Sequence, residues 1–207
     1  MALFLDFDPK IDISLAQAPL TEVKQALLNL FCESAYQEGD FTLSSGQKST
    51  YYINGKQVTL HPLGALMVGR LLLDRLPQTC PAVAGLTLGA DPMVSAVSLV
   101  GAYENRLIAP LIVRKVAKGH GTQAYIEGLS LPPKTSVVVL EDVVTTGQSA
   151  LQAVERLKAA GYSVDRILAL VDRQQGGAEL YRDRGLTFEA LFTLPEIQAH
   201  WRQQQNG

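Results

Sequence analysis

Apolar and polar positions change period several times along the chain, and each change marks an element. Val137, Val138, Val139 and Leu140 form a continuous, largely β-branched run that ends at Glu141 and Asp142, which predicts a buried strand. Beyond Thr145, Thr146 and Gly147, the residues Ala150, Leu151, Val154 and Leu157 recur at helical spacing and predict an amphipathic helix over 148–160. The same order of strand, small-residue turn and helix appears earlier. Residues 82–86 predict a strand, Gly89, Ala90 and Asp91 a turn, and residues 93–100 a helix. Residues 109–113 and 164–171 predict two further strands, and residues 63–73 a helix before them all. This alternation predicts an α/β fold with a mostly parallel central sheet flanked by helices. Residues 176–184 then predict a helix, 188–192 a last strand and 195–201 a terminal helix.

The opening part reads differently. Residues 1–19, broken by Pro9 and Pro19, predict a loosely held leader. A helix begins near Thr21, a candidate N-cap, with Val23, Ala26, Leu27, Leu30 and Phe31 on one face, and Gly39 closes the segment. Residues 41–43 and 51–53 predict short strands around a Ser-Ser-Gly turn. Residues 1–60 are thus expected to be leader, helix and a small N-terminal hood, and residues 61–207 the core, in one compact unit.

Composition narrows the class. The 207 residues suit one α/β domain with an appendage, and 47% hydrophobic residues are ample for a core. A net charge of -2 offers no general attraction for nucleic acid or an anionic membrane. Cys32 and Cys80 lack metal spacing and read as buried or incidental thiols. The acidic start with its short apolar run reads as neither secretory signal nor transit peptide, and no stretch is long and apolar enough to span a membrane. The cytoplasm is the expected location.

Chemistry is expected where the 137–140 strand meets its helix, because open parallel sheets bind ligands beyond the carboxyl ends of their strands. A helix N-terminus offers unpaired N–H groups to a phosphate, and Thr145, Thr146 and Ser149 add hydroxyls. Glu141 and Asp142 would repel that phosphate unless they face sugar hydroxyls or a cation. A ribose 5-phosphate unit satisfies both demands. The bland alternative is a strand and helix with a Thr or Ser N-cap and solvated acids. Residues 114–128 gather Arg114, Lys115, Lys118 and His120 around glycines with no helical or strand period. That segment suits a polyphosphate lid or, more plainly, a solvated basic loop. Residues 85–92 form a second small-residue turn able to present N–H groups. Arg173 could grip a carboxylate at two points or simply pair with Asp172. His61 and His200 read as surface residues.

Together the blocks FTLSSGQKSTYYINGK, GLTLGADP, RKVAKGHG and LEDVVTTG followed by LVDRQQGG resemble the orotate phosphoribosyltransferases, within the type I phosphoribosyltransferase fold. The similarity runs from about Phe41 to Gly177. It implies transfer of a phosphoribosyl group from phosphoribosyl pyrophosphate to orotate N1, with Mg²⁺ held mainly by substrate oxygens. It implies that Glu141 and Asp142 hold the ribose hydroxyls and that Val143, Val144, Thr145, Thr146, Gly147, Gln148 and Ser149 surround the 5-phosphate. Gly89 would approach the pyrophosphate, which Arg114, Lys115, Lys118 and His120 would neutralise. Asp142, Arg114, Lys118 and His120 would be the catalytic group. Thr145, Arg173, Ser44 and the stretch Tyr51, Tyr52 and Ile53, with Tyr52 and Ile53 as the named contacts, would border orotate in a pocket to which the hood contributes. The resemblance also implies a homodimer whose active-site loop reaches the neighbouring subunit.

Three positions depart from the family pattern. Ser44 and Gly89 stand where many members have Lys, and Glu141 replaces the commoner Asp. Two rivals remain: a purine-type phosphoribosyltransferase, disfavoured by Arg173, and a regulatory phosphoribosyl-pyrophosphate-binding protein, disfavoured by the net charge.

Overall fold

A computed structural model describes residues 13–42, 46, 48–118 and 125–206. In chain order the first elements are α1 (Leu20–Ser34), β1 (Tyr36–Thr42), β2 (Lys48–Ile53), α2 (Lys56–Thr59), α3 (Pro62–Arg75) and β3 (Ala82–Leu86). Then follow α4 (Asp91–Tyr103), β4 (Ala109–Val113), β5 (Ile126–Gly128), β6 (Val137–Val144) and α5 (Gln148–Ala159). The last are β7 (Arg166–Asp172), α6 (Gly177–Asp183), β8 (Thr187–Thr193) and α7 (Leu194–Gln205).

The main sheet has the order β5-β4-β3-β6-β7-β8, parallel except for β5, which runs antiparallel along β4. β1 and β2 form a separate antiparallel pair. Strand side chains alternate between faces, and β6 shows the result. Val138 and Leu140 enter a core shared with α1, α3, α4 and α7, while Val137 and Val139 enter one shared with α5 and α6. Both faces are therefore covered, as the apolar strands require.

The structure departs from the sequence reading in ways that matter for the site. β6 continues four residues beyond Leu140, so Glu141 and Asp142 lie within a strand instead of after it. β7 pairs with β6 as far as Val144, whereas β3 stops pairing at Leu140. Past that point one edge of β6 is open, and the open edge is the cleft. Residues 126–128, expected within an irregular loop, form the edge strand β5. α1 ends at Ser34, not at Gly39, because Tyr36 enters the core, stacks on Tyr51 and meets the edge of Trp201. The N-cap of α1 is Pro19, with no side-chain cap. Part of the expected loose leader is tied down, since the Leu15 carbonyl accepts from Arg70 Nη1 at 2.6 Å. Both histidines are half-buried, not superficial. His61 caps α3 by accepting from the Gly64 N–H, and His200 shares a hydrogen bond with Asn29. Cys32 and Cys80 are buried and free.

Candidate active site

The turn expected to bind a phosphate joins β6 to α5. Its N-cap is Gly147 at φ +83°, a left-handed conformation that glycine adopts without strain, and no side chain caps the helix. The first N–H groups of α5 are thus not claimed by a Thr or Ser cap, against that part of the bland reading. Residues 143–150, with Glu141 and Tyr181, line a cavity of about 90 Å³ here. Tyr181 supports the turn from below: a Cβ on Gly147 would stand 2.9 Å from its ring. The buried Tyr181 hydroxyl has no hydrogen-bond partner among the described residues.

The two acids differ. Glu141 is 7% exposed, and its Oε2 has no hydrogen-bond partner among the described residues. Burial pushes its carboxyl up to about 8, helped by the charge of Asp142 and a hydrogen bond to it, and opposed by Lys115. Asp142 is half-buried and accepts from the Val143 N–H at 3.0 Å. It stands between two chain segments with no side chain to spare. A Cβ on Gly89 would lie 2.5 Å from Asp142 Oδ1, and one on Gly55 would lie 3.5 Å from Asp142 Oδ2. The Gly89 turn follows β3, contains a cis Thr87–Leu88 peptide bond and is braced by Thr87 donating to Asp91 Oδ2 at 2.7 Å.

Arg173 leaves the end of β7, where its N–H donates to the Val144 carbonyl at 2.9 Å. Its Nη1 donates to Thr145 Oγ1 at 3.2 Å, and its Nε and Nη2 donate to the Tyr51 hydroxyl at 3.1 and 2.6 Å. The alternative pairing with Asp172 is absent, since Asp172 Oδ1 accepts from the Gln174 N–H instead.

The basic segment divides. Arg114 and Lys118 converge on Glu127 of β5, at 3.1 and 3.6 Å. The charge of Lys115 instead acts on Glu141. His120 and Ser44 lie outside the described residues.

The structure therefore brings Glu141, Asp142, residues 143–149, Gly89 and Arg173 to one cleft. It does not bring Tyr52 to Arg173. Along β2, Tyr51 and Ile53 face the core, while Tyr52 turns the other way, tilts against Phe41 and lines a separate cavity of about 300 Å³. Alternation along a strand makes Tyr51, not its neighbour, the one directed at Arg173. Sequence reasoning missed Gly55, Glu127 and Tyr181, and named Tyr51 only within the stretch Tyr51-Tyr52-Ile53, without separating it from Tyr52. A period-two reading of β2 would have separated Tyr51 from Tyr52.

A mostly parallel sheet whose strand order reverses between β3 and β6, with a separate antiparallel pair of strands, is the type I phosphoribosyltransferase fold. An orotate phosphoribosyltransferase of Nostoc sp. is 64% identical over 195 residues, which cover 94% of this chain and 95% of that relative. The chain belongs to the orotate phosphoribosyltransferase family. The Synechocystis orotate phosphoribosyltransferase is 65% identical over 190 residues, 92% of this chain and 96% of that one. The crystal structure of the Mycobacterium tuberculosis enzyme in complex with phosphoribosyl pyrophosphate superposes with a TM-score of 0.72. It is 31% identical and covers 85% of this chain and 99% of its own. No protein-family model matches the chain.

Proposed function

We propose that the chain transfers the 5-phosphoribosyl group of phosphoribosyl pyrophosphate to N1 of orotate, giving orotidine 5'-monophosphate and pyrophosphate in pyrimidine biosynthesis. One observation carries the reading: the guanidinium of Arg173 is held against Thr145, at the mouth of an uncapped phosphate turn. An anionic base needs such a cation beside the sugar, and a neutral purine does not.

The orotate ring nitrogen, having lost its proton, forms a bond to ribose C1 as the C1–O bond to pyrophosphate breaks. Orotate supplies the nucleophile, so the chain's work is placement and charge stabilisation of an oxocarbenium-like state. Asp142 and Glu141 would hold the ribose hydroxyls, and the N–H groups and hydroxyls of residues 145–149 the 5-phosphate. Arg173 and Thr145 would take the orotate carboxylate, with Ser44 and the backbone at Ile53 along the ring edge. Lys115 would meet the leaving pyrophosphate from the same chain.

The described residues contain no group of three or more His, Cys, Asp and Glu able to hold a metal. The carboxylate of Asp142, beside the carboxyl of Glu141, nonetheless fits a hydrated Mg²⁺ carried on substrate oxygens. Bound there, Mg²⁺ would neutralise the leaving diphosphate.

We also infer a two-fold homodimer in which Arg114, Lys118 and His120 serve the neighbouring subunit. Arg114 and Lys118 pair with Glu127 on the edge strand β5, not with Glu141 or Asp142. Leu88, Leu99, Tyr103 and Leu107 are exposed apolar residues on and near α4, suited to a partner surface. Among the described residues no helix is long and apolar enough to cross a membrane. With purified chain, orotate absorbance should fall only when phosphoribosyl pyrophosphate and Mg²⁺ are both present. Turnover of hypoxanthine or adenine with orotate inert would sink the reading.

A further inference from the structure

Arg156 lies on α5, about two helical turns from the phosphate turn. It is half-buried and faces the end of β4. Its Nη1 donates to the carbonyl of Arg114 and its Nη2 to the carbonyl of Lys115, the latter at 3.0 Å. Its guanidinium carbon stands 4.2 Å from the centroid of the Tyr125 ring. The Tyr125 carbonyl in turn accepts from the Arg114 N–H at 2.7 Å. One side chain thus holds the backbone of two candidate pyrophosphate cations by their carbonyls and holds the returning strand by an aromatic face.

The geometry asks for arginine. A planar fork can bond two neighbouring carbonyls while its face lies on a ring, whereas an ammonium is a single point without a face. The consequence reaches across the site. The N-terminus of α5 forms the phosphate turn, and Arg156 fixes the start of the basic segment to the same helix. A ligand with a phosphate at C5 and a diphosphate at C1 must meet both ends at once. Their spacing is therefore set by one rigid helix and one side chain.

Resting on the reaction assigned above, we propose that Arg156 is a positioning residue for the pyrophosphate end of the site. It holds the backbone of Arg114 and Lys115, and so fixes the register between Lys115, the pyrophosphate cation assigned to the same chain, and the 5-phosphate turn. Arg156 touches no substrate in this role.

The test compares ligands that need one end of the site with ligands that need both. Alanine is a strong helix former, so Arg156→Ala should leave α5 intact. In that variant the KM for phosphoribosyl pyrophosphate and the inhibition constant for pyrophosphate should each rise about tenfold or more, the size expected when reacting groups are misplaced. The inhibition constant for ribose 5-phosphate, which needs only the turn and the acids, should stay within about twofold, as should the KM for orotate. Arg156→Lys, keeping one carbonyl contact, should show the same split at smaller size. A merely structural role would move all four constants together and in step with thermal unfolding. That result overturns the proposal, and so do unchanged pyrophosphate constants in a folded Arg156→Ala variant. If the alanine variant does not fold, absence of the split in Arg156→Lys overturns it. A wild-type chain that leaves orotate inert and turns over a purine instead removes the assigned reaction, a failure visible before any variant is made.

Discussion

The hydroxyl of Tyr51 accepts from both Nη2 and Nε of Arg173, at 2.6 and 3.1 Å. The two residues come from different parts of the fold, β2 of the hood and the end of β7. The Tyr51 ring also lies 5.1 Å from the guanidinium carbon, and Gln175 donates to the same hydroxyl at 3.2 Å. With Nη1 on Thr145, these contacts use one N–H on each guanidinium nitrogen and leave one on each terminal nitrogen. That remaining pair is the fork a carboxylate needs. The guanidinium is set before the ligand arrives, so binding does not have to order it.

The pair predicts a graded response. Arg173→Ala removes the partner of the orotate carboxylate and should cost about 2–3 kcal/mol, the range for a hydrogen bond to a charged group. Tyr51→Phe only loosens the fork, so its cost should be nearer ~1 kcal/mol. In both variants the KM for orotate should rise far more than the KM for phosphoribosyl pyrophosphate. Equal rises for both substrates would place Arg173 outside the base pocket.

Much of the frame is legible in the sequence. The limits of β3 and β4 can be read to the residue, since each is a short apolar run that ends at a turn or a charge. The turn between β6 and α5 is legible for the same reason. Hidden features arise from partners far apart in sequence. Tyr51 and Arg173 are separated by 122 positions, and Arg156 and Arg114 by 42. The extension of β6 through Glu141 and Asp142 is hidden because two acids end an apolar run on any local reading. Only the neighbouring β7 makes that stretch a strand. β5 has no apolar period and owes its form to pairing with β4.

Asp142 and Gly89 predict a shared phenotype. Asp142→Asn removes charge where positive charge develops on the sugar, and should lower kcat by roughly 10²-fold, typical for one electrostatic contact. Gly89→Ala introduces a carbon 2.5 Å from Asp142 Oδ1, so the carboxylate or the turn must move. Its kcat should fall in the same direction with the fold retained, as circular dichroism would report. Wild-type kcat in both variants would mean that Asp142 is only solvated.

Glu141 makes folding stability depend on pH. Its carboxyl is raised from 4.5 to about 8 by burial first, then by Asp142, against Lys115. The buried Tyr181 hydroxyl also faces it across the turn cavity. Below pH 4.5 the group is protonated whether the chain is folded or unfolded. As pH rises from there to about 8, the unfolded form ionises while the folded form holds its proton. The folded state binds more protons, so stability must fall through this window, by up to a few kcal/mol in order of magnitude. Glu141→Gln should flatten that fall. Urea unfolding at several pH values between these limits is the measurement, and parallel curves for wild type and variant would refute it.

The division of the basic segment predicts how two inactive variants behave together. Arg114 and Lys118 meet at Glu127, while Lys115 acts on Glu141 of its own chain. If Lys118 serves the neighbouring subunit and Asp142 its own, Lys118→Ala and Asp142→Asn damage sites in different ways. In a mixed dimer one site combines the Asp142→Asn chain with the partner's Lys118→Ala loop and carries both lesions. The other site combines an intact acid with an intact loop. With random exchange, roughly half of the dimers are mixed and about a quarter of all sites are whole, by two-fold symmetry. Activity should therefore recover toward about a quarter of wild type after subunit exchange. Had each loop served its own chain, every site in the mixture would keep exactly one lesion and nothing would be regained. Mass spectrometry of tagged subunits shows whether exchange has occurred. Exchange with activity still at the parental level means that the loop acts within its own chain.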